Sequence, residues 1–201
     1  MSSGRIVLLG DSVFDNQSYV APGAATIEAL ATRLPMGWSA MLLAQDGSTI
    51  DEVTRQAMQL PSDASHLVVS TGGNDALSDV GVLTENAATV AEALWKIAQI
   101  GDRFEQRYRR MLRTVRSRKL PTIVCTIYNG NFRDPHLQIV TATALAIFND
   151  AIIRAAWAAR CPIIDLRTVC DEPEDYAKEI EPSSRGSEKI AAAVVRAVMG
   201  A

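Results

Sequence analysis

Short apolar runs, each closing on a glycine or a polar turn, recur along the chain and are separated by segments of helical periodicity. "RIVLL" at 5–9 ends at Gly10, and "SAMLLAQ" at 39–45, "HLVVST" at 66–71, "TIVCTIY" at 122–128 and "PIIDLR" at 162–167 repeat the pattern. Runs of this length bounded by turn residues predict five buried strands. Between them, helical patterns occupy roughly 24–34, 50–59, 84–118 with a break near Gly101, 138–159 and 184–199. In the fourth, Leu145, Phe148, Ile152 and Ala156 share one face at spacings of three and four. Ser183 or Ser184 can cap the last helix, whose apolar stripe includes Ile190, Val194 and Val198. Strands that are apolar on both faces and alternate with helices predict a parallel sheet covered on each side. The expected fold class is therefore α/β, a three-layer α/β/α sandwich on a five-stranded parallel sheet.

Length adds that 201 residues suit a single domain over 1–201. A composition 48% hydrophobic and 21% charged is that of a folded chain rather than a disordered one. A net charge of -3 gives no global reason to expect nucleic acid or anionic lipid as a partner. The basic segment Arg103 to Lys119 is a local exception, but Phe104, Tyr108, Met111, Leu112 and Val115 recur in it at helical spacing. That pattern predicts a solvated basic face opposite a buried one. The opening "MSSGRIVLLGDS" is far short of a signal-peptide core or a membrane span, so a cytoplasmic location is expected. Cys125, Cys161 and Cys170 lack metal-ligand or redox spacing and predict buried, reduced thiols.

In sheets of this kind ligands bind beyond the carboxyl ends of the strands, which directs attention to the loops there. "GDSVFDN" follows the first strand, "QDGSTIDE" the second and "STGGNDAL" the third. Acyl transfer requires a nucleophilic oxygen and donors aimed at the developing oxyanion. Ser12, the backbone amide of Gly47 and the side-chain amide of Asn74 form such a set. Each fragment alone is a common turn; together, in this order and each directly after its own strand, they carry weight.

With these motifs the sequence resembles the SGNH or GDSL hydrolases, a family of esterases, lipases, thioesterases and acyl hydrolases on a flavodoxin-like sheet. The resemblance runs the length of the chain. It implies that Ser12 of "GDS" is the nucleophile and that Gly47 and Asn74, the latter within Gly72-x-Asn74-Asp75, complete the oxyanion hole. The substrate implied is a small-molecule acyl ester. The family's last block is Asp-x-x-His-Pro before the final helix. "KEIEPSSRGSEKIA" keeps Pro182, Ser183 and Gly186 but has Lys178 for the aspartate and Glu181 for the histidine.

The general base is thereby an open question. His66 begins the third strand and, at about 3.3 Å per residue, lies some 15 Å from the motif that follows it, which excludes it. His136 lies in the loop after strand four, on the same edge of the sheet as Ser12. Glu181 is the positional heir, a weaker base than histidine unless burial raises its pKa. Its alternative role is to accept backbone amides at the last helix. Asp11, Asp15, Asp75 and Glu181 are oxygen donors that suit a hard cation, although Asp11 and Asp75 also suit ordering their own loops. Neither a phosphate-binding glycine loop nor a G-x-S-x-G elbow is present, and no cofactor is expected. Two functions follow: a serine ester hydrolase with a non-standard base, or an inactive binding protein that keeps the pocket for a small acyl or carboxylate ligand.

Overall fold

The computed structural model describes residues 3–200. Five parallel strands, β1 (Gly4–Gly10), β2 (Trp38–Leu42), β3 (His66–Ser70), β4 (Thr122–Cys125) and β5 (Ile163–Ile164), form one sheet in the order β2-β1-β3-β4-β5. This is the flavodoxin-like order, with the reversal between β1 and β3. Side chains alternate between two cores, as the period of a strand requires. Val7, Leu9, Leu67, Val69 and Val124 face α3 (Ile50–Gln56), α5 (Val90–Val115) and α6 (Pro135–Ala158). Ile6, Leu8, Val68, Ile123 and Cys125 face α2 (Thr26–Arg33) and α7 (Ser184–Met199). Three layers result, as the apolar runs predict.

Helix ends follow local chemistry. Ser183 caps α7 by accepting from the Gly186 amide at 3.2 Å. Asp134 caps α6, with Pro135 in the first turn, so that helix opens three residues before the periodicity indicated. Thr89 caps α5, and the preceding Val80–Thr84 is a separate 3₁₀ turn. The break expected near Gly101 does not occur. α5 runs through it, because Gly101 is where α6 crosses: a β-carbon there would stand 2.4 Å from Ile147 Cγ2. Close helix approach, not helix termination, accounts for this glycine. The basic segment is the outer face of α5, while Phe104, Tyr108, Met111, Leu112 and Val115 are buried.

α6 has a mean hydropathy of 1.5 over its most apolar window and is long enough to cross a bilayer by those measures. Its C-terminal half packs through Phe148, Ala151, Ile152 and Ala155 into the core it shares with α5. Shorter elements complete the carboxyl edge of the sheet: α1 (Gln17–Val20), α4 (Gly73–Ser78), and the antiparallel pair β6 (Tyr176–Lys178) and β7 (Glu181–Pro182). The sequence pattern did not reveal β6 and β7, which are too short to show alternation. All three cysteines are buried and free.

Candidate active site

Ser12 follows β1 at the reversal point of the sheet, and its position depends on Gly10. That residue has φ of 141°, and a β-carbon there would lie 1.8 Å from the Ser70 carbonyl oxygen of β3. Only glycine fits so close a backbone approach. Gln56, buried on α3, then clasps Gly10 from both sides. Its Oε1 accepts the Gly10 amide at 2.8 Å, and its Nε2 donates to the Gly10 carbonyl at 2.9 Å and to Ser48 Oγ at 3.2 Å. The Ser12 loop and the Gly47 loop are thus held by one side chain.

Further bonds join the neighbouring loops. The Asp46 amide donates to Asp15 Oδ2 at 2.9 Å, and Tyr19 Oη donates to Asp46 Oδ2 at 2.6 Å. Asn74 Nδ2 donates to the Ser48 carbonyl at 3.0 Å, which leaves its second amide proton for a ligand. Asp75 accepts the Ile50 amide at 3.0 Å and pairs with Arg107 at 2.9 Å, fixing the start of α3. Gly47, at φ of 78°, faces open space. Neither its N–H nor that of Ser12 donates to an acceptor among the described residues. Backbone donors left free at the mouth of a sheet are suited to an oxyanion.

Glu181 arrives from β7. Its backbone is pinned on both sides: Tyr128 Oη donates to the Ile180 carbonyl at 2.7 Å, and Asn16 Nδ2 to the Pro182 carbonyl at 3.2 Å. Asn16 is fully buried in the loop that carries Ser12, and it also donates to Ser187 Oγ at 2.8 Å and accepts the Thr26 amide at 3.0 Å. It therefore ties the Ser12 loop to the Glu181 loop. The Glu181 carboxyl is buried, and Oε2 has no hydrogen-bond partner among the described residues. Burial raises its pKa above the usual carboxylate range, with the Asp46 charge adding to the rise; the Ser12 hydroxyl and the Lys178 ammonium pull it back. Helix capping does not explain Glu181, because Ser183 fills that role on α7.

Ser12, Asn74 and Glu181 line one cleft, together with Asp11. The cleft encloses about 1010 Å³ of empty space, part of it open to solvent. Its walls away from these polar groups are apolar. Ile97 and Ile100 come from α5, Ala144, Leu145 and Phe148 from α6, and Val80, Val82 and Leu83 from the 3₁₀ turn. Apolar walls with a few convergent polar groups are the usual form of a small-molecule site.

The other candidates lie elsewhere. His136 is exposed in the first turn of α6 and does not line the cleft. His66 stands at the amino end of β3, its ring 5.3 Å from that of Trp38, and burial lowers its pKa. Lys178 Nζ sits 4.9 Å over the Tyr19 ring. Among the described residues no three His, Cys, Asp or Glu side chains gather in a way that could hold a metal ion. Sequence reasoning singled out Ser12, Gly47, Asn74 and Glu181, of which all but Gly47 line the cleft, and it missed Gln56, Asn16 and Tyr128. Their partners lie 46, 166 and 52 positions away in the chain, so no local pattern marks them.

The structural likeness is broad. An extracellular lipase from Streptomyces rimosus superposes with a TM-score of 0.70 at 17% identity, covering 97% of this chain and 100% of the lipase. A G-D-S-L family lipolytic protein from Veillonella parvula gives 0.72 at 14% identity, over 98% and 99% of the two chains. The acetyl xylan esterase AlAXEase gives 0.70 at 16% identity, over 96% and 99%. No curated protein sequence matches the chain. The family model described as GDSL-like Lipase/Acylhydrolase matches residues 8–189, nearly the whole of the chain. The chain belongs to the GDSL-like lipase/acylhydrolase family, the ester-hydrolysing group its loop motifs resemble.

Proposed function

We propose that the protein is a serine ester hydrolase in which Glu181 does the work of the missing histidine. One observation carries this reading: Ser12, Asn74 and the buried Glu181 share the wall of one largely apolar cleft. In the first step Glu181 takes the Ser12 proton while Oγ bonds to the acyl carbon. The carbonyl π pair moves onto oxygen, where the N–H groups of Ser12 and Gly47 and the free amide proton of Asn74 are the donors. Collapse expels the alkoxide, which takes the proton back from Glu181. Water then repeats the sequence on the acyl-Ser12 ester. The acyl group lies against Ile97, Ala144 and Leu145, in the apolar part of the cleft.

Charge accounting supports the exchange of residues. A neutral imidazole becomes a cation when it accepts a proton, and a buried aspartate stabilises that cation. A carboxylate becomes neutral instead, and its negative charge passes to the oxyanion. An orienting aspartate would only repel Glu181, whereas Lys178 in that place favours the charged form. The reading is tested by fluorophosphonate labelling followed by mass analysis. We expect one adduct, on Ser12, absent from Ser12→Ala; an unlabelled native protein would instead leave the inactive binding protein as the function.

A further inference from the structure

Asp11 precedes the proposed nucleophile, lines the same cleft as Glu181, and is only 4% exposed. A buried carboxylate is normally answered by a cation or by several donors. Asp11 has neither: Oδ1 accepts the Val13 amide at 3.2 Å, and no ion pair to it occurs among the described residues. The charged groups that act on it most strongly are both acids. Glu181 faces it from β7 and Asp75 from α4, and Asp75 already engages Arg107. Tyr108 of α5, Cys125 of β4 and Tyr128 of the next loop also lie within its electrostatic reach, and burial holds all three neutral.

We infer that Asp11 is held as a neutral acid beside Ser12, so that the site carries a single negative charge, on Glu181. The inference rests on the ester-hydrolase reading. A second anion next to Ser12 would oppose the oxyanion that forms there, in surroundings of low dielectric where repulsion is strong. Asp11 thus acts as a positioning residue for charge, and its ionisation switches the site off. Burial pushes its pKa up to about 7, opposed by the Val13 amide and reinforced by Glu181 and Asp75. The pH profile is consequently a bell: Glu181 ionising gives the rising limb, and Asp11 ionising gives the falling one. A site with a histidine base keeps its rate above neutrality, because imidazole stays neutral there.

The experiment combines kcat/KM from pH 4.5 to 9 with carboxyl carbon NMR titration of the wild type and Asp11→Asn. Asparagine keeps the shape and the acceptor for Val13 but cannot ionise. We expect the wild-type rate to fall about tenfold per pH unit beyond a midpoint near 7. We expect that falling limb to vanish in Asp11→Asn, and an Asp11 carboxyl signal with the same midpoint. A wild-type profile without the limb, a limb that persists in the variant, or an Asp11 midpoint near the ordinary value of about 4 would each overturn the proposal. If no ester is turned over, the hydrolase reading falls and the NMR midpoint still decides the charge on Asp11. If the variant does not fold, the wild-type profile decides alone.

Discussion

Replacing Glu181 by glutamine removes one proton acceptor and almost no volume. Positioned general bases contribute about 10² to 10⁴-fold, which at about 1.36 kcal/mol per decade is about 3 to 5 kcal/mol of transition-state stabilisation. The loss should depend on the leaving group. An activated aryl ester expels its phenolate without help, so only deprotonation of Ser12 and of water is affected. An ethyl ester also needs its alkoxide protonated by Glu181 and should lose more. Initial rates on p-nitrophenyl butyrate and pH-stat rates on ethyl butyrate measure the two cases.

Stability should move the other way. The folded-state pKa of Glu181 lies above its unfolded value because of burial. Unfolding therefore releases a proton between those two pKa values, so stability falls as pH rises through that window and stays lower above it. Glutamine never ionises and escapes this loss, and Oε2 has no hydrogen bond to give up. Glu181→Gln should thus gain stability relative to wild type as pH rises from 4 to 8, read as the difference in urea midpoints. Wild-type turnover of ethyl butyrate by the variant would refute the assignment of the base. A large loss of stability at pH 8 would refute the claim that Glu181 serves no structural bond.

Other residues give separate tests. Asn74→Ala should lower kcat by about 10² to 10³-fold with little change in KM, as expected for a donor that acts chiefly on the oxyanion. Steady-state rates on the same esters would show this. Gly10→Ala places a β-carbon 1.8 Å from the Ser70 carbonyl oxygen at a φ of 141°. Strain and overpacking together should cost about 2 to 5 kcal/mol, measured by urea unfolding followed by circular dichroism. Ala144→Trp should fill the apolar cleft and cut octanoate hydrolysis at least tenfold (~1.4 kcal/mol) relative to acetate, since each buried methylene contributes about 0.8 kcal/mol. Ratios of kcat/KM across an acyl series would read it.

The layers were legible because they depend on local rules. Ile6, Val7, Leu8 and Leu9 form an unbroken apolar run, as a strand buried on both faces must, and the structure divides them between the two cores. Gly101 was misread for an equally physical reason. A glycine within a helical pattern signals either termination or close packing, and only the position of Ile147 on α6 distinguishes them. For the candidate site, loop motifs pointed to Ser12, Gly47, Asn74 and Glu181, of which Ser12, Asn74 and Glu181 share a cleft, yet the sequence did not show that Asp11 is buried without a cation. Nor did it show that Asn16 and Tyr128 fix the Glu181 backbone, because those relations arise only when distant loops meet at one edge of the sheet.

Those two clamps bear on the proposed chemistry. A glutamate side chain is longer than an imidazole and has more rotatable bonds, so a carboxylate base loses precision unless its backbone is held firmly. In a histidine site the orienting aspartate supplies that precision through a side-chain hydrogen bond. Here the hydrogen bonds from Tyr128 to Ile180 and from Asn16 to Pro182 bracket Glu181 at the main chain, leaving its carboxyl free of any partner that would lower its basicity except Ser12 and Lys178. Orientation by main-chain clamping and basicity by burial are compatible, whereas orientation by extra donors to the carboxylate would lower its pKa and weaken the base. Main-chain clamping thus orients Glu181 without adding donors to its carboxyl.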